Sequence, residues 1–117
     1  MANELTISTA IGYSKSNDTV NKSHSKQITV AGSVRASGVQ SIATSETALD
    51  LGGVTAVGIV FLQNLDPTNY VEVGTTTAVY AVKIKAGEAF VFRSDGNTVY
   101  CKASTAAVKV AYEVFSE

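Results

Sequence analysis

Apolar and polar residues alternate with period two along most of this chain. Neighbouring side chains of a strand point to opposite faces, so this alternation predicts half-buried β-strands. Leu5, Ile7, Thr9, Ile11 and Tyr13 alternate with Thr6, Ser8, Ala10 and Gly12, which predicts a first strand. Residues 14–26 are polar throughout and read as a long loop or a flexible arm. Ile28, Val30 and Val34 resume the alternation, with Gly32 marking a bulge or bend. A weaker strand is expected over 39–44, and turn chemistry over 45–53 ends at the Gly52-Gly53 pair.

Residues 57–62 form a nearly unbroken apolar run, the pattern of a strand covered on both faces and the expected centre of the core. Asp66-Pro67 predicts a tight turn after it, because the residue before proline is pushed out of the helical region. Val71 and Val73 then share a face, as do Tyr80, Val82 and Ile84. Ala86-Gly87 reads as a hairpin turn into Phe90 and Phe92, and Asp95-Gly96-Asn97 as a second one. Strands over 99–103 and 108–114 close the series, with Val108, Val110, Tyr112 and Val114 on one face. Phe61, Phe90, Phe92 and Tyr112 fall on expected core faces, whereas Tyr70 and Tyr100 fall opposite the apolar side of their strands.

Eight to nine short strands at roughly ten-residue spacing predict an all-β sandwich. A jelly-roll-like arrangement is the first choice and another Greek-key sandwich the second. One domain spanning residues 1–117, with the polar arm at about 14–26, accounts for the whole length. No run is long enough for a membrane span, and residues 1–7 lack the basic start and apolar stretch of a signal peptide.

Composition narrows the function. Lys and Arg number nine against ten Asp and Glu, for a net charge of −1, so no basic stripe draws the chain to nucleic acid. The nearest cluster is Lys15, Lys22 and Lys26 around His24, diluted by Ser and Asn. Only 16% of residues are charged, below the usual ~25%, which suggests surface covered by a partner. The one cysteine, Cys101, shares a face with Val99 and Ala103 and reads as a small buried hydrophobe.

His24 is the only histidine, so a catalytic triad would have to be built on it, and no nucleophile elbow is present. One His and one Cys do not make a zinc site. Asp50, Asp66, Glu72, Glu88 and Asp95 fall at turns, strand ends or exposed positions. Asn17-Asp18-Thr19 and Asn21-Lys22-Ser23 match glycosylation acceptors, which matter only in a secretory pathway. No cofactor and no catalysis are expected. The expected partner contacts are Tyr70, Glu72 and Tyr100 on outward strand faces, with Lys15, Lys22 and His24 on the arm. Outward tyrosines anchor protein interfaces or stack on sugars, so a carbohydrate-binding module is the alternative reading.

The phrase Phe61-Leu62-Gln63-Asn64-Leu65-Asp66-Pro67-Thr68-Asn69, followed by Val71-Glu72-Val73-Gly74, Ala86-Gly87-Glu88 and Tyr100-Cys101-Lys102-Ala103, resembles small virion proteins of tailed bacteriophages. The likeness covers roughly the C-terminal two thirds and leaves out residues 14–26. It implies a β-sandwich structural protein on the capsid exterior that decorates or cements the shell. The implied partners are copies of itself, as a homotrimer, and the major capsid protein. A tail or fibre component is a lesser form of the same implication.

Overall fold

The computed structural model describes residues 4–117. Ten strands run in chain order: β1 (Leu5–Lys15), β2 (Asp18–Ile28), β3 (Arg35–Ile42), β4 (Thr47–Ala48), β5 (Val57–Asn64), β6 (Val71–Gly74), β7 (Val82–Ile84), β8 (Ala89–Arg93), β9 (Tyr100–Ala103) and β10 (Val108–Ser116). No helix occurs among the described residues, as Val- and Thr-rich sequence dictates. Contacts divide the chain into a first unit that ends at Ala31 and a second, Gly32–Glu117.

The second unit is a sandwich of two four-stranded antiparallel sheets. One has the order β3-β10-β5-β8 and the other β4-β9-β6-β7. Strands adjacent in sequence mostly lie in opposite sheets, and only β6 and β7 are neighbours in both senses. Numbering the eight strands consecutively, the sheets read 1-8-3-6 and 2-7-4-5, the strand order of a jelly roll. The first of the two expected architectures is therefore the one adopted.

Alternation builds the core as the sequence implied. Ala36 and Ile42 of β3, Val60 and Leu62 of β5, and Val108, Val110, Tyr112 and Val114 of β10 face Val71, Val73, Ile84, Cys101 and Ala103 of the other sheet. Leu49, Val54 and Val99 close the ends. Cys101 is fully buried, and desolvation pushes its thiol up to about 12. We expect no alkylation of the folded protein at neutral pH, with labelling following the unfolding rate. Rapid labelling under native conditions would contradict the packing. Because this pKa lies above the ordinary value of 9.0, the stability it reports is complete below that pH and is lost as pH climbs towards 12.

Polar groups stitch the two sheets together at the ends. Gln40 of β3 donates its side-chain amide to the Ala48 carbonyl (2.9 Å) and accepts from the Asp50 amide (2.8 Å). The Tyr112 hydroxyl donates to the Asp50 carbonyl at 2.9 Å. Asn64, 1% exposed, donates from Nδ2 to the carbonyls of Asn69 and Ile84, both at 2.9 Å, and accepts from the Asp66 amide at 2.8 Å. The Asp66 carboxylate in turn accepts from the Thr68 and Asn69 amides. The Asn-Leu-Asp-Pro-Thr-Asn phrase is thus the scaffold of one crossing between sheets.

Several expectations are corrected. Residues 14–26 are not a loop: they contain a two-residue turn and most of β2, which pairs with β1 along eleven residues. Ser16 and Asn17 both take positive φ, 51° and 67°, the geometry of the tight turn whose twist suits a hairpin. Residues 29–34 are not a strand. Ala86-Gly87 and Asp95-Gly96-Asn97 do not close hairpins, because β7 and β8, and likewise β8 and β9, belong to different sheets.

The aromatic assignments divide. Tyr112 is core and Phe92 packs against it. Phe90 stands opposite Leu62 and stacks on Phe92 at 5.5 Å, but β8 is an edge strand and Phe90 remains 39% exposed. Phe61 is out of phase with Val60 and Leu62, so it projects from the sheet's outward face and is half-buried. Tyr80 precedes β7 and is not part of the core.

Candidate protein-contact surfaces

Each surface follows from which side of a strand the core leaves free. In the β4-β9-β6-β7 sheet, Val71, Val73, Cys101 and Ala103 point inward. Glu72, Tyr100 and Lys102 therefore point outward, and Glu72 stands opposite Lys102 on one side and Lys83 on the other. Lys83 Nζ sits 4.4 Å from the Tyr70 ring centroid, and Lys102 Nζ sits 5.9 Å from that of Tyr80. Both are cation–π distances. The expected contacts Tyr70, Glu72 and Tyr100 thus share one face, which Lys83, Lys102, Tyr80 and Glu46 complete. A sugar stacking on Tyr70 would have to displace the ammonium already there.

Glu46 was not singled out from the sequence, because it lies in an irregular segment with no phase to read, and Tyr80, expected on the face of Val82 and Ile84, stands before β7 where that phase does not hold. Gly74 places the Tyr80 segment: a side chain there would collide with the Val79 carbonyl, so only glycine lets that backbone cross so closely. Ala78 adopts φ 63° beside it. The Glu46 carboxylate accepts from the Tyr80 hydroxyl at 2.6 Å and from the Ala78 amide at 2.7 Å. Those bonds favour the ionised acid, the tyrosine first, and hold its pKa below the ordinary value. The same bond raises Tyr80 to about 12. We expect Tyr80→Phe to raise the Glu46 pKa measurably in a carboxyl-detected NMR titration. An unchanged value would show that the hydrogen bond is not made in solution.

The hairpin carries the other expected contacts. Its register puts Leu5, Ile7, Thr9, Ile11, Tyr13 and Lys15 on one face, opposite Ile28, Lys26, His24, Lys22, Val20 and Asp18. The reverse face holds Ser, Thr, Asn, Gln, Gly and Ala alone. Lys15, Lys22 and His24 therefore share a face, spread along the ribbon among its apolar residues and not on a polar arm. Ile11 is 65% exposed, Tyr13 46% and Val20 38%.

A third surface was not expected. The outward face of the β3-β10-β5-β8 sheet mixes Val39 and the half-buried Phe61, Val91, Ala111 and Phe115 with Ser41, Gln63, Lys109 and Glu113, and Ile59 on it is buried. Val39 is 60% exposed. Arg35 and Glu113 pair at 3.4 Å, and Arg93 and Glu117 at 2.9 Å.

A groove of about 580 Å³ opens along the sandwich edge between β7 and β8, lined by residues 81–84 and 88–90. Its only charged side chains are Lys83 and Glu88. Among the described residues no three His, Cys, Asp or Glu side chains converge.

No family model, no curated protein and no solved structure matches this chain.

Proposed function

We propose that this chain is a structural virion protein, a homotrimeric decoration or cement protein that binds the major capsid protein on the shell exterior. It works by contact, without catalysis or cofactor. The observation that carries the reading is the hairpin's uncovered apolar face. A two-stranded ribbon is at best marginally stable in water alone. One with Ile11, Tyr13 and Val20 exposed gains stability by laying that face on a partner. Lys15, Lys22, Lys26 and His24 on the same face, against Asp18, favour a partner surface that carries carboxylates.

Jelly rolls occur in capsid and lectin domains, and that support is by analogy of fold. Of those two, the cations over Tyr70 and Tyr80 favour the capsid reading over the sugar one. A shell repeats its sites many times, so modest contacts from a linked oligomer add up by effective concentration.

The test is cosedimentation with shells assembled from the capsid protein encoded nearest to this chain's gene. Saturable binding that raises the shell's melting temperature supports the reading. Binding should weaken at least about 30-fold in Ile11→Asp, as for an anchor side chain. A chain that stays in the supernatant at every ratio overturns it.

A further inference from the structure

We infer that the β8 edge of the sandwich takes up an extended segment of a partner protein as an added strand, one with uncharged apolar side chains at alternate positions. The site is separate from the hairpin face.

The backbone carries the first half of the argument. β8 pairs on one side only, with β5. The bonds from the Asn64 amide to the Glu88 carbonyl and from the Ser94 amide to the Gly58 carbonyl frame this pairing and fix its phase. In an antiparallel pair, alternate residues exchange both bonds with the neighbour. Phe90 and Phe92 therefore turn their backbone groups towards β5, while Ala89, Val91 and Arg93 turn theirs away from it. No further strand pairs with those groups among the described residues. An extended backbone presents donors and acceptors at the same two-residue spacing, about 6.8 Å.

Side chains carry the second half. Exposed edges are ordinarily blunted by charge, proline, a bulge or brevity. β4 has two residues, β7 has three with Lys83 at its centre, and β3 carries Arg35, Ser37, Gln40 and Ser41. In β8, Ala89-Phe90-Val91-Phe92 holds no polar residue. Beside it lies the groove of about 580 Å³, lined by Val82, the buried Ile84 and Phe90, which is 39% exposed. Residues of an added strand opposite Phe90 and Phe92 share their face and project into that groove. The edge of a second sandwich fits less well, because its inward side chains are packed in its own core. Both charged groups of the groove are engaged, Lys83 over the Tyr70 ring and Glu88 on the Lys85 amide at 2.9 Å. The segment's inward side chains are therefore uncharged. Main-chain bonds for affinity, with pockets for alternate side chains, are the terms of strand addition.

Amide-detected NMR on the full chain tests this, with a synthetic peptide of alternating valine and threonine about as long as β8. The amides of Ala89, Val91 and Arg93 are expected to shift and to exchange with solvent at least about tenfold more slowly. Those of Phe90 and Phe92, already bonded to β5, are expected to gain no such protection. The same peptide N-methylated at its threonines is expected to have no effect. Val91→Pro is expected to keep native far-ultraviolet dichroism and to abolish the protection, since it removes an amide that β5 does not use. Should it misfold, Phe90→Lys, which puts a charge in the groove, serves in its place. The inference is overturned if the three amides are unmoved up to the peptide's solubility limit. It is equally overturned if the N-methylated peptide protects as well, or if the folded variant keeps the effect. A wild-type oligomer that Val91→Pro dissociates also overturns it, because the edge then belongs to a second copy. Failure to bind shells would leave all these outcomes as they are.

Discussion

Asn64→Ala is expected to destabilise the sandwich by about 3–5 kcal/mol, measured by chemical denaturation. The loss does not come from size, since asparagine is small. Three backbone groups depend on this one side chain: the carbonyls of Asn69 and Ile84 and the amide of Asp66. A buried polar group left without its partner costs about 1–3 kcal/mol. The Ile84 bond also runs from the end of β5 to the opposite sheet, so its loss loosens a crossing as well as a turn. The Asn64 backbone bonds to Glu88 and Gly87, which draws the 85–88 turn into the same knot. Asn64→Asp should be no better, because it replaces the two donated bonds with a charge facing carbonyl oxygens. A cost below about 1 kcal/mol for Asn64→Ala would mean that water substitutes for the amide.

Tyr112→Ala is expected to cost about 3–5 kcal/mol, as large core truncations do. Tyr112 is 7% exposed and spans between Gly38 on β3 and Leu62 on β5 in the sheet register. Gly38 is required by its backbone, φ 153°, and not by space, since a Cβ there would stand at an ordinary 3.8 Å from the tyrosine hydroxyl. Tyr112→Phe isolates the hydroxyl and its bond to Asp50, and should cost only about 1 kcal/mol. Phe61→Ala supplies the contrast. The apolar run of β5 suggested a core phenylalanine, but an outward, half-buried ring should cost well under half as much as Tyr112. Equal costs for the two residues would show that the facing of β5 is wrong.

Alternation revealed the fold wherever one face is greasy and the other wet. In β10, Val108, Val110, Tyr112 and Val114 fix the phase beyond ambiguity, and Val71 and Val73 do the same for β6. That is why Tyr70, Glu72 and Tyr100 were legible as outward residues. Phase was lost in β5, where an unbroken apolar run hides which residue faces in, and Phe61 was misplaced as a result.

Strand order was partly hidden for a different reason. A glycine turn reverses the chain in the same way whether the next strand joins the same sheet or the opposite one. Gly87, with φ 79°, serves an inter-sheet crossing. Nothing local distinguishes it from a hairpin.

The β1–β2 hairpin was half seen. Its turn is Ser16-Asn17 and not the stronger Asn-Gly signal. In β2, lysines and a histidine occupy the positions where alternation would place apolar residues, so the strand looks polar on both faces. A subtler rhythm was present. Small hydroxyl and amide residues at 19, 21, 23, 25 and 27 alternate with Val20, Lys22, His24, Lys26 and Ile28. Long aliphatic stems on one face and short side chains on the other are the mark of a strand whose lysines lie along apolar surface.

A cryo-electron microscopy difference map between shells with and without this protein tests the assignment most directly. The expected map shows trimeric jelly-roll density outside the shell at its local threefold axes. In it the hairpin's Ile11 face lies on capsid protein. No added density, or density in which that face stays open to solvent, would contradict the account.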